Sequence, residues 1–96
     1  MKKYVIVNET DDYIICKGVC KDYHKAVGVL YCRFLGCIDE WIKDGYTLEE
    51  KEEFNLLEAD SGYGWFAKLI HYTTDDSKIT VNERWYLLIY EEEENE

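Results

Sequence analysis

The feature that most constrains this chain is one long stretch, residues 23–44, whose apolar side chains recur at helical spacing. On a helix of about 3.6 residues per turn, Tyr23, Ala26, Val27, Leu30, Tyr31, Phe34, Leu35, Cys37, Ile38, Trp41 and Ile42 gather within one half of the circumference. Lys25, Arg33, Asp39, Glu40 and Lys43 lie on the other half. Asp22 stands where an N-cap belongs, and Gly45 where a glycine closes a helix. A helix with so broad an apolar face must lie flat on a second layer. In a chain of 96 residues that layer has to come from the segments on either side, and the whole is one domain.

Those segments have the composition of strands. Residues 3–8 are β-branched and aromatic, residues 9–12 form a turn, and residues 13–20 resume the pattern, which predicts a hairpin. Residues 63–73 alternate, with Trp65, Ala67 and Leu69 on one side and Phe66, Lys68, Ile70 and Tyr72 on the other. After a turn at 74–78, residues 79–91 set Ile79, Val81, Trp85, Leu87 and Ile89 against Thr80, Asn82, Arg84, Tyr86, Leu88 and Tyr90. Between helix and strands, Thr47-Leu48-Glu49-Glu50 fits a capping box, with Thr47 as N-cap and Glu50 at the third position. It predicts a short helix to residue 53 or 54. Residues 54–59 then form a third strand or end that helix, and residues 60–62 turn the chain.

The expected fold is α+β, in the order β-β-α-(short α)-(β)-β-β. An antiparallel sheet of four to five strands carries the long amphipathic helix on one face. Residues 1–91 make the domain and 92–96 an acidic tail. One helix covers one face of a sheet. The opposite face is expected to carry tyrosines, with Tyr72, Tyr86 and Tyr90 the first candidates.

Charge narrows the partners. Twenty-one acidic residues against eleven basic ones give a formal charge of −10. Residues 1–37 hold six Lys/Arg and four Asp/Glu, so the acidic surplus belongs to residues 38–96. Such a surface repels nucleic-acid phosphates and anionic lipid and attracts basic proteins; it also serves solubility. The apolar run at residues 4–7 is too short for a signal-peptide core or a membrane span. The expected compartment is the cytoplasm, with the four cysteines reduced.

No enzyme class emerges from the remaining residues. Cys16, Cys20 and His24, and Cys32 with Cys37, match no zinc-ligand spacing, and on the wheel Cys32 faces outward while Cys37 faces the core. Neither His24 nor His71 is tied locally to a thiol, and Gly62-Tyr63-Gly64, which reads as a turn entering a strand, is no phosphate cradle. No catalytic residue, metal or cofactor is assigned.

Two features point to binding. Gly28, Cys32 and Gly36 are stacked on the polar side of the helix. An exposed helical glycine costs about 1 kcal/mol relative to alanine, which invites a second copy, a partner, or the Thr47 segment folded back; tolerated drift is the alternative. The other feature is the run Asp39, Glu40, Asp44, Glu49, Glu50, Glu52 and Glu53, followed by Glu58 and Asp60. Carboxylates on a rigid surface can stand in for phosphates in an Arg/Lys-lined groove, with nearby aromatic residues as anchors.

A small, proline-free, acidic, aromatic-rich α+β chain with glutamates at 91–94 and 96 resembles the proteins encoded by bacteriophages and mobile elements. Among them it resembles anti-CRISPR and other nucleic-acid-mimicking inhibitors. The resemblance is one of composition and layout, and it carries over no site residue. It implies a non-enzymatic inhibitor in the bacterial host cell that occupies a basic channel of a CRISPR-associated or other nucleic-acid-binding enzyme, with no direct contact to nucleic acid or membrane. The alternative is a homo-oligomeric structural or regulatory module, such as a homodimer.

Overall fold

The computed structural model describes residues 2–55 and 61–91. Along the chain run β1 (Lys2–Glu9), β2 (Ile14–Cys20), α1 (Tyr23–Lys43), β3 (Thr47–Asn55), β4 (Ser61–Tyr72) and β5 (Lys78–Glu91). The five strands form one sheet in the order β2-β1-β5-β4-β3, antiparallel at every pairing. The fold is α+β, with one helix on a five-stranded sheet.

The β1–β2 hairpin closes at Thr10. Its N–H donates to the Tyr13 carbonyl at 2.9 Å, and its hydroxyl oxygen accepts from the N–H groups of Asp12 and Tyr13, each at 3.3 Å. Helix α1 then carries the chain from the β2 edge to the β3 edge. Its 21 residues span about 32 Å at about 1.5 Å each, against a width of roughly 19 Å for five strands about 4.8 Å apart.

Both helix ends are closed by the residues expected. The Asp22 carboxylate accepts from the His24 N–H at 3.1 Å. At the other end Gly45 adopts φ +97, its N–H donates to the Ile42 carbonyl, and the Tyr46 N–H donates to the Trp41 carbonyl, both at 3.0 Å. These paired bonds make a Schellman closure, which needs a left-handed residue at Gly45.

Ala26, Leu30, Phe34 and Ile38 form the buried stripe of α1. They pack on Ile6 of β1, Ala67 and Leu69 of β4, and Trp85 and Leu87 of β5. The alternating faces expected for β4 and β5 are the ones observed. Ile42, at the margin of the helical face, remains exposed.

The expected short helix at Thr47 is a strand. β3 pairs with β4 from Thr47↔Ile70 to Asn55↔Tyr63, with a bulge between Leu48 and Glu50. The physical reason lies in what each conformation can bury. An isolated helix this short is marginal, and Thr47–Asn55 offers only Leu48 and Phe54 as apolar side chains. As a strand it satisfies the open edge of β4 and lays Phe54 on the sheet. Gly62 and Gly64 likewise lie inside β4, not in a turn before it. Gly64 sits beneath the Phe54 ring, where a Cβ would stand 2.5 Å from the ring's Cζ. The remainder of the 54–59 segment, Asp60 and the tail at 92–96 lie outside the described residues.

Candidate functional site

Replacing a helix by a strand redistributes the acidic run. Successive strand residues point to opposite faces, so β3 does not present its glutamates as one row. Glu50 and Glu52 lie on the face away from α1, across from Lys68 and Phe66. The bulge adds Glu49 to that face, where its carboxylate meets Lys68 Nζ at 3.1 Å. Glu53 points to the other face, across from Trp65. Asp39, Glu40 and Asp44 form a third group on the outer surface of the last turns of α1, all exposed. The seven carboxylates therefore occupy three places. Of the seven, only Glu49 has an ion-pair partner among the described residues.

The uncovered sheet face joins acid to aromatic. Glu50, Glu52, Phe54, Phe66 and Arg84 line a shallow depression. The Arg84 guanidinium lies 5.7 Å from the Phe66 ring centroid and 3.4 Å from the Glu9 carboxylate, and the Tyr86 hydroxyl donates to Glu9 at 2.9 Å. Burial, the bond to Glu9 and the Glu9 charge together push the Tyr86 phenol up to about 12. Tyr72 and Tyr90 share this face and are largely exposed. The tyrosine set is where alternation placed it.

Gly28, Cys32 and Gly36 are exposed along the outer side of α1. Apart from the helix's own adjacent backbone and the chain neighbours, nothing among the described residues lies within 4 Å of a Cβ built on either glycine. The Thr47 segment, paired as β3, does not fold back over them. Lys25, Val29 and Arg33 border the resulting shallow recess.

A buried polar cluster lies under α1 where sequence reasoning named nothing. Glu83, 2% exposed, accepts from Asn8 Nδ2 at 2.8 Å and from Trp41 Nε1 at 3.1 Å. The two donors satisfy one oxygen each, which a buried carboxylate requires. Period-two counting along Val81, Glu83 and Trp85 places this residue on the apolar face, and that was the available signal. Beside it, burial pushes the Cys37 thiol up to about 11, with the Glu83 charge adding to the effect and the indoles of Trp85 and Trp41 opposing it. Cys37 is thus a neutral thiol near pH 7. Trp85 Nε1 is buried and has no hydrogen-bond partner among the described residues.

The four cysteines are free: Cys16 and Cys32 are exposed, Cys20 and Cys37 half-buried. His24 meets Tyr23 edge-on at 5.7 Å, and His71 packs on Tyr46 at 5.1 Å. Among the described residues no helix is long and apolar enough to cross a membrane. No family model, curated protein or solved structure matches this chain.

Proposed function

We propose that this chain is a non-enzymatic, protein-binding inhibitor whose acidic surface occupies a basic, nucleic-acid-binding site of a host nuclease, in the manner of an anti-CRISPR protein. The observation that supports this reading best is the unneutralised state of its carboxylates. Asp39, Glu40, Asp44, Glu50, Glu52 and Glu53 make no ion pair among the described residues, although Lys68 and Arg84 stand near Glu50 and Glu52. They are held on a helix end and a paired strand, so little ordering entropy is lost when a basic groove engages them. Their split over three places favours a partner that wraps the β3 edge over one with a single flat patch.

Titration against a CRISPR nuclease, with and without its nucleic acid, tests the proposal. Binding should weaken with rising salt and compete with nucleic acid. Changing Glu50 and Glu52 to Gln, or Asp39 and Asp44 to Asn, should weaken it further. Binding indifferent to both salt and these substitutions refutes the mimicry.

One observation favours a second reading, self-association. Edge strand β3 is guarded by glutamates, but edge strand β2 exposes Ile14 (67%), Ile15 and Val19 (56%) with Lys17 as its only charge. Unguarded apolar edges pair with other strands. A monomeric mass by light scattering at micromolar concentration removes this reading.

A further inference from the structure

Where α1, β3 and β4 meet, four aromatic rings converge near one carboxylate. Tyr31 of α1 stacks on Trp65 of β4, with centroids 5.3 Å apart and planes 8° from parallel. About two turns toward the helix start, Tyr23 lies 6.2 Å from Tyr63 and 5.4 Å from Tyr4. Tyr63 is exposed; Tyr23, Tyr31 and Trp65 are half-buried. Glu53 stands across from Trp65 on the exposed edge strand, on the same sheet face as these rings. Its charge is felt at Tyr23, whose phenol is raised by burial first, then by Tyr63, Tyr4 and Glu53. None of the described residues gives Glu53 a cation. Lys51, two residues along the same face of β3, stands across from Ala67 and makes no ion pair with Glu53.

The opposite sheet face shows the same set of parts in its occupied form. There Arg84 lies over Phe66 and against Glu9. Ring and carboxylate are joined by a guanidinium. At the Glu53 seam the ring and the carboxylate are present and the guanidinium is absent.

We infer that the seam formed by Tyr23, Tyr31, Tyr63, Trp65 and Glu53 receives an arginine side chain of the basic partner. This inference rests on the proposed function and names what one part of the surface recognises. Arginine fits better than lysine because its planar guanidinium stacks on ring faces and bonds a carboxylate through two N–H groups at once. The site lies on the reverse of the sheet from Glu50 and Glu52, so the two can be tested apart.

The experiment is an NMR titration of the full chain with arginine amide, with lysine amide and glutamine amide as controls. Arginine amide should shift the Trp65 indole N–H saturably and more strongly than either control. Glu53→Gln should weaken that binding about fivefold, the scale of one exposed cation–aromatic or ion-pair contact. Tyr63→Leu should weaken it to a similar extent, and Glu50→Gln should leave it unchanged. Equal shifts from all three amides, or unchanged arginine binding by Glu53→Gln, overturns the inference. Salt-sensitive nuclease binding that survives Glu53→Gln and Tyr63→Leu overturns it too, yet leaves the proposed function standing. Arginine binding at Trp65 without salt-sensitive nuclease binding does the reverse.

Discussion

Gly64→Ala is the sharpest test of how this chain is put together. The residue lies within the β3–β4 ladder opposite Phe54, and a methyl group there would approach three ring atoms at 2.5, 2.8 and 2.9 Å. Contacts so short force the ring to lift. Phe54 is on the edge strand and half-buried, so it can give way, but it then loses the packing that holds β3 down. Overpacking of this kind costs about 1–3 kcal/mol, and alanine returns about 0.5–1 kcal/mol relative to a strand glycine. The net expectation is a loss of about 1 kcal/mol, or roughly 4–8 °C in Tm for a domain of this size. Urea unfolding of four proteins measures it: the parent, Gly64→Ala, Phe54→Ala and the double variant. In the Phe54→Ala background the three ring atoms that the methyl would meet are gone, so Gly64→Ala should become neutral or stabilising. The coupling between the two sites is then about 1–2 kcal/mol. Had Thr47 opened a helix, Phe54 would not cover Gly64. A neutral or stabilising Gly64→Ala in the parent, with additive effects in the pair, refutes the strand assignment and the argument built on it.

Three further outcomes are expected. Glu83→Gln replaces one acceptor with an amide N–H group facing a donor, either Asn8 Nδ2 or Trp41 Nε1; the misplaced donor should cost about 1–3 kcal/mol in urea unfolding, and an unchanged midpoint refutes the buried cluster. Stability should fall at alkaline pH, because the folded state holds Cys37 at about 11 against 9.0 and Tyr86 at about 12 against 10.0. The unfolded chain loses these protons first, so the stabilisation is complete below pH 9 and is lost as pH rises to about 12; a flat Tm from pH 8 to 12 contradicts it. Under native conditions a maleimide should modify Cys16 and Cys32 quickly and Cys20 and Cys37 slowly, and mass spectrometry of the labelled chain would show four equal rates if the burial is wrong.

Much of this architecture could be taken from local pattern. The helix was legible because eleven apolar residues keep one period over six turns and both caps are present. The faces of β4 and β5 followed from alternation, including the exposed Tyr72 and Tyr90. Cys32 and Cys37 diverge as the wheel requires. Glu83 was within reach of the same counting, and a carboxylate on an apolar face between Val81 and Trp85 signals a buried acceptor that needs donors.

Other facts had no local signature. Thr47–Asn55 carries a helix-opening motif worth a fraction of the energy that pairing along β4 supplies, so the distant strand decided its conformation. With that change the acidic run lost its single face, since a strand sends Glu52 and Glu53 to opposite sides where a helix would have kept both near one surface. Strand order was equally hidden: β5, the last strand in sequence, inserts between β1 and β4 and brings Asn8 to Glu83 and Trp65 to Trp85. Periodicity reports which side of a strand is apolar. It carries no information about which other strand will lie beside it, because that depends on contacts between residues far apart in the chain.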